Sequence, residues 1–395
     1  MRVTRIPMRP VLASFCLVIV LALTACGASG SNGSDANRTN GTPGTQSTPT
    51  TTSGNSGGGD NTGNSGTSNP TPVPMSQYNI YAGNQDGTFF AFNAESGSLR
   101  WHFTTGGMLN KPWAVTNGVY ISTQSGYVYS LSKAGLQSWS KSVGGGTLSR
   151  PTVNSGLVYV GTDQGHVIAL NGTTGDIAWD TSTGGMVSGS IAVVNDVAYA
   201  SADGYLFALN ALTGAIIWKT SLGTISEFTS PTVSGNTVYI GNDGGRLTAI
   251  RTSTGVIAWQ FQAGGQIFGK PAVVNGIVYF GASDHYVYAV NASTGTVKWK
   301  YQTGDSVNES PTVSNGITYI ASADGKLYAL DANSGAVKWH FSITGQKVTG
   351  GWTSVTNGRV YVGMSDGRLY ALNASNGQVI WKTQASSAIS SPAVG

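Results

Sequence analysis

The chain has 395 residues, 40% hydrophobic but only 10% charged, with 56 glycines and just three glutamates, Glu95, Glu227 and Glu309. Glycine weakens helices and the charged helix formers are scarce, so an all-helical or coiled-coil protein is excluded. The net charge of +4 overstates the basicity: without Arg2, Arg5 and Arg9, which lie in a segment expected to be removed, 18 basic residues face 17 acidic ones, and no basic stripe suited to nucleic acid is visible.

Those three arginines precede an apolar run from Val11 to Leu23, too short to span a bilayer comfortably and suited to the core of a signal peptide. Leu23-Thr24-Ala25-Cys26 follows and looks like a bacterial lipobox, so residues 1–25 are read as a lipoprotein signal and Cys26 as the lipidated residue; the rival is an ordinary secretory signal with an incidental cysteine. Cys16 and Cys26 are the two cysteines of the chain, so with Cys26 acylated the mature protein has no disulfide. Several acyl chains on one residue anchor stably, whereas a single chain binds a membrane only marginally.

Gly27 to Pro74 is dominated by Gly, Ser, Thr, Asn and Pro, and its only branched aliphatic residue is Val73. Such a stretch buries too little apolar surface to offset the entropy of ordering it, so residues 26–74 are expected to be a lipidated cysteine followed by a disordered tether. Its reach as a flexible coil is roughly 40 Å.

Residues 75–395 repeat one unit. Trp101, Trp139, Trp179, Trp218, Trp259, Trp299, Trp339 and Trp381 recur at 38–42 residues, and Tyr81, Tyr120, Tyr159, Tyr199, Tyr239, Tyr279, Tyr319 and Tyr361 precede them by 19 or 20. Within a period, short Val-, Ile-, Leu- and Tyr-rich runs end in Gly, Asn or Asp turn signals, which predicts four strands joined as hairpins. Four strands in about 40 residues is the mark of a β-propeller blade. The expected fold is therefore all-β: an eight-bladed β-propeller of four-stranded antiparallel blades. The domain opens on a second strand, at Tyr78 to Tyr81, and ends on a lone first strand, at Ser391 to Val394. The C-terminal strand is thus expected to pair with the N-terminal blade and close the ring, which a linear β-solenoid would not need.

The segments Ala208 to Trp218, Ala289 to Trp299, Ala329 to Trp339 and Ala371 to Trp381 share the pattern Ala-Leu/Val-Asn/Asp-Ala-x-Ser/Thr/Asn-Gly-x-x-x-Trp. This resembles the repeat of the pyrroloquinoline-quinone (PQQ)-like β-propellers, and the resemblance spans residues 75–395. It implies that each of the eight tryptophans docks on the neighbouring blade. Gly83, Ser122, Gly161, Ser201, Gly241, Gly281, Ala321 and Gly363, at the ends of the second strands, are expected to make room for that wedge. Asp86, Asp163, Asp203, Asp243, Asp284, Asp324 and Asp366 read as hairpin-turn residues, because seven turns spread around a ring cannot converge on one calcium ion.

Binding is sought where the repeats differ, in the segments entering each first strand. Lys111, Arg150, Glu227, Lys270, Glu309, Lys347 and Trp352 are the candidate residues of a channel mouth of mixed sign, with Ser190 and Trp352 standing where other repeats carry proline. No catalytic residue or metal site is expected: His102, His166, His285 and His340 lie in different blades without metal-ligand spacing. Resemblance to BamB-type propeller lipoproteins of outer-membrane barrel assembly implies a non-catalytic, protein-binding scaffold without cofactor. It would be an extracytoplasmic monomer held to a bacterial membrane by lipid alone, with another envelope or surface protein as partner. One alternative is a relative of the quinoprotein dehydrogenases, which would bring PQQ and calcium; another is a cell-surface sensor or carbohydrate-binding module.

Overall fold

The computed structural model describes residues 74–395 apart from 111, 116, 117, 148, 224–228, 386–388, 390 and 391, and of 349–352 the backbone alone. The segments expected to be a signal peptide (1–25) and a lipidated cysteine with its tether (26–74) lie, up to residue 73, outside the described residues. Met75–Gln77 forms one 3₁₀ turn, and everything after it is built from eight four-stranded antiparallel sheets.

Naming the strands of a blade A to D from the axis outward, blade one combines the C-terminal Ala393–Val394 as strand A with Asn79–Gly83, Thr88–Asn93 and Leu99–Thr104. Blades two to eight follow in chain order. Their A strands are Trp113–Val115, Thr152–Asn154, Ala192–Val194, Thr232–Ser234, Ala272–Val274, Thr312–Ser314 and Val348–Thr356. Tyr81 pairs with Ala393, and Asn79 and Gly395 exchange backbone hydrogen bonds at 2.8 and 3.0 Å, which closes the ring.

Burial explains the sequence texture. Strands B and C, such as Ile277–Gly281 and Tyr286–Asn291, are covered by neighbouring blades on both faces, so they read as nearly continuous apolar runs. Strand D is outermost and alternates buried and exposed residues, as in Val297–Gln302. In every blade a β-bulge precedes the tryptophan: Ala289 lies opposite Trp299 and Val290 opposite Val297, so Lys298 has no partner. A bulge re-aims the next side chain, here toward the following blade.

The indole lands on a glycine. A Cβ added to Gly97, Gly135, Gly175, Gly214, Gly255, Gly295, Gly335 or Gly377 would lie 2.5–2.8 Å from the ring of the preceding blade's tryptophan. These glycines close the C–D turns at φ of +72 to +81°, where a side chain is disfavoured in any case. Each indole N–H donates to a carbonyl of the same turn, for example Trp299 to Ala332 at 2.9 Å and Trp381 to Ala94 at 3.3 Å. The paired tyrosine often donates to the same oxygen, as Tyr279 does to Ala332 at 3.0 Å and Tyr361 to Ala94 at 2.9 Å. Thus the seam between blades eight and one is built like the others.

The small residues at the ends of the B strands do something other than expected. A Cβ on Gly161, Gly241 or Gly281 would meet Val187, Ile267 or Val307 at 2.3 Å, and none of the three would meet a tryptophan first. They seat the apolar residue of the segment running into the next blade, while the tryptophan pocket belongs to the C–D turn at the opposite end of the blade. The aspartates do sit in B–C turns. Asp284, Asp324 and Asp366 accept hydrogen bonds from Tyr288, Tyr328 and Tyr370, which ties each turn to its own strand C.

Candidate binding site at the channel mouth

Antiparallel order puts the D–A segments and B–C turns at one end of the ring, and the A–B and C–D turns at the other. The eight A strands line the axis. They are linked across seams by side chains: Thr152 donates to the Ile191 carbonyl at 2.7 Å, Thr232 to Pro271 at 2.5 Å, Thr312 to Thr353 at 2.8 Å and Ser354 to Pro392 at 2.6 Å. The mouth is therefore carried on a hydrogen-bonded collar, a rigid mount for the residues just before it.

Strand pairing fixes which residues are equivalent. Thr152, Ala192, Thr232, Ala272, Thr312 and Ser354 face Tyr159, Tyr199, Tyr239, Tyr279, Tyr319 and Tyr361. One residue earlier stand Pro151, Ile191, Pro231, Pro271, Pro311 and Thr353, so Ile191 and Thr353 replace the proline, and Ser190 and Trp352 do not. A register break between Thr349 and Ser354 displaces the count in blade eight. Two residues earlier stand Arg150, Ser190, Ser230, Lys270, Ser310 and Trp352; Lys111 holds this position in blade two. Among the described residues, serine is the ordinary occupant and joins the blades: Ser230 Oγ accepts from the Ser190 N–H and Ser310 Oγ from the Lys270 N–H, both at 2.8 Å.

Arg150 and Lys270 break that pattern. Lys270 lines a cavity of about 440 Å³ with Ser230, Phe268, Asn308, Glu309 and Ser310. Arg150 lines a second cavity, of about 310 Å³, with Thr353, Ser354 and residues of the inner strands of blades one, two and seven. Its guanidinium carbon lies 4.2 Å from the centre of the Trp113 ring, a cation–π contact. Burial pushes the Arg150 pKa down to about 10. Burial, and then the charge of Arg150, push the Lys270 ammonium down to about 8. Arg150 stands ahead of the first strand of blade three and Lys270 ahead of that of blade six. Thr353 is buried, and its hydroxyl has no hydrogen-bond partner among the described residues.

Of the candidate residues, the structure brings Lys270 and Glu309 into one cavity and Arg150 into the other. Lys347 is exposed and exchanges hydrogen bonds with Ser365 beside the B–C turn of blade eight, so it lines neither. Lys111, Glu227 and the Trp352 side chain lie outside the described residues. Trp113 and Thr353 are additions. Trp113 carried a signal: of the ten tryptophans, Trp113 and Trp352 alone fall outside the repeating register.

The family model described as outer membrane protein assembly factor BamB matches residues 37–140, 85–230, 202–350 and 286–392. BamB from Moraxella catarrhalis is similar in structure at 22% identity, covering 71% of this chain and 87% of its own, with a TM-score of 0.62. The computationally designed Ika8 protein is similar at 18% identity, covering 79% and 92%, with a TM-score of 0.65. A quinohemoprotein alcohol dehydrogenase, ADHIIG from Pseudomonas putida HK5, is similar at 16% identity, covering 71% and 66%, with a TM-score of 0.60. At these identities the solved structures establish the fold alone. No curated protein matches the chain.

Proposed function

The chain belongs to the BamB-type PQQ-repeat propeller family, and on that premise we propose that it is a non-catalytic scaffold of the bacterial envelope that binds another envelope or surface protein at the channel mouth. Residues 1–25 direct export, lipid on Cys26 holds the protein at the membrane, and the tether gives the ring reach. One observation carries the binding reading. Sequence repeats wherever blades dock on each other, and it departs from the repeat at Arg150, Lys270 and Glu309, on one end of a rigid collar.

The enzymatic alternative, a quinoprotein dehydrogenase, requires PQQ and calcium. Calcium takes six to eight oxygen ligands. The larger cavity offers one carboxylate, Glu309, and one amide, Asn308, beside a lysine, and among the described residues no three His, Cys, Asp or Glu side chains converge. This donor set does not fit the ion. Dye-linked alcohol oxidation after addition of PQQ and calcium is expected to show no turnover, and turnover abolished by chelation would replace the scaffold reading with the enzymatic one. Fractionation of a Cys26→Ala variant is expected to find it released from membranes; retention would contradict the lipid anchor.

A further inference from the structure

We infer that the outer wall of blades six, seven, eight and one lies against an anionic phospholipid surface, so that the ring stands edge-on to the membrane with its channel mouth clear of it. The inference rests on the lipid anchor proposed above and adds which side of the ring turns toward the bilayer. Three observations converge on it.

The first is charge. Four consecutive outer strands, Val297–Gln302, Val337–Phe341, Val379–Gln384 and, across the closing seam, Leu99–Thr104, carry Lys298, Lys300, Lys338, Lys382 and Arg100 and no acidic residue. The outer strands of blades two to five carry Lys141, Asp180 and Lys219. The contrast survives when the charges at the C–D end are added. Arg359, Glu95 and Asp331 join the first half, Asp331 as the partner of Lys338 at 3.1 Å, and Lys133, Arg251, Asp176 and Asp196 join the second. The first half then has six basic side chains against two acidic ones, the second four against three. A lysine on an outer strand ordinarily guards against edge-to-edge pairing. The outer strand of blade five, Ile257–Gln262, has no charged residue, so the fold does not require such a guard, and guarding gives no reason to gather cations on one side.

The second is the place where the chain enters the ring. Met75–Gln77 sits at the seam of blades eight and one, within the basic half: Asn357 of blade eight donates to Met75 Sδ at 3.0 Å, and Arg100 of blade one donates to the Ser76 carbonyl. The residues leading back to Cys26 therefore start from the cationic side. The third is apolar surface. Leu99, Val297, Val337, Val379 and Ile380 are exposed on the same four strands, and binding at a bilayer interface grows with buried apolar area and with attraction to anionic headgroups. Exposed aliphatic residues stand on the other half too, as at Ile216 and Ile217, so the cations decide the side. Each cation contributes modestly and only close to the surface. That suffices for a ring whose tether keeps it near the membrane, and not for one released by Cys26→Ala.

Blades four and eight lie on opposite sides of the ring and have nearly the same outer strand, Ile216-Ile217-Trp218-Lys219-Thr220-Ser221 and Val379-Ile380-Trp381-Lys382-Thr383-Gln384. Ile217 and Ile380 occupy the same unpaired place in the bulge. The test therefore attaches a fluorophore to the lipidated full-length protein through Ile380→Cys or Ile217→Cys. Each is reconstituted in vesicles of phosphatidylcholine and phosphatidylglycerol, quenching by spin-labelled lipid is read, and flotation reports anchoring separately. Quenching at 380 is expected to exceed that at 217 by about threefold, and to fall to the level of 217 in about 0.5 M salt, in phosphatidylcholine alone, and when Lys298→Glu and Lys338→Glu are combined. Equal quenching at the two positions of a protein that floats, or quenching at 380 that salt and neutral lipid leave unchanged, would overturn the inference and leave the anchor standing. A protein that fails to float removes the anchor and the inference with it.

Discussion

The two ends of the ring are made by different rules. At the end carrying the C–D turns, the same device occurs eight times: a bulge, a tryptophan, a tyrosine and a glycine of the next blade. At the other end the segments entering strand A carry serine in some blades and Arg150 or Lys270 in others, beside Glu309 and Phe268. Repetition marks the contacts that hold blade to blade, where each seam must solve the same packing problem. Departure marks positions that the repeated packing does not dictate.

The sharpest way to break this comparison is to attack one repeated seam. Trp299→Ala removes a side chain that is 8% exposed, together with its hydrogen bond to Ala332. It is expected to cost about 3–5 kcal/mol in chemical denaturation; a loss below about 1 kcal/mol would mean the seams do not hold the ring. The mouth should behave in the opposite sense. Lys270 titrates near 8 in the folded protein and near its ordinary 10.5 when unfolded, so between these values the unfolded chain binds more protons and stability rises with pH. From pH 8 to pH 10 the wild type should gain roughly 2 kcal/mol on Lys270→Gln, read as the difference between their denaturation curves. A constant difference would show that the cation is not held at a cost.

A smaller effect tests the glycine side of the dock. Gly255→Ala puts a Cβ 2.8 Å from the Trp218 ring at φ +72° and is expected to cost about 2 kcal/mol in the same assay. The smallest effect is a gain. The B–C turn of blade six holds His285 at φ +74°, where most of the other blades place glycine, so His285→Gly should stabilise by about 1 kcal/mol. A loss there would show that the histidine serves the turn.

The repeats made the blade count, the strand order and the ring closure legible in the sequence, because Trp and Tyr keep phase and the lone first strand read at Ser391 to Val394 completes the first blade, as Ala393–Val394. The destination of each tryptophan was less legible. Two small residues per blade compete for the role, Gly281 at a strand end and Gly295 at a turn in blade six, and composition cannot tell which lies under the ring of a neighbour. The mouth was half legible: Arg150 and Lys270 stand out as departures from serine. The Trp113–Arg150 contact joins consecutive blades and the influence of Arg150 on Lys270 joins blades three and six, and no local pattern encodes either. Lys347 shows the converse. It precedes an A strand as the others do, but the nine-residue strand and register break of blade eight carry it out to the B–C turn.

The central claim is that the irregular end of the ring, not its repeated rim, meets the partner. A photoreactive phenylalanine analogue placed at Phe268 in the mouth, and separately at the exposed Ile217 on the outer strand of blade four, tests it in intact cells. Discrete adducts with an envelope protein are predicted from position 268 and none from 217, with the former lost when Lys270 and Arg150 are both changed to glutamine. Adducts from 217 alone would contradict the account.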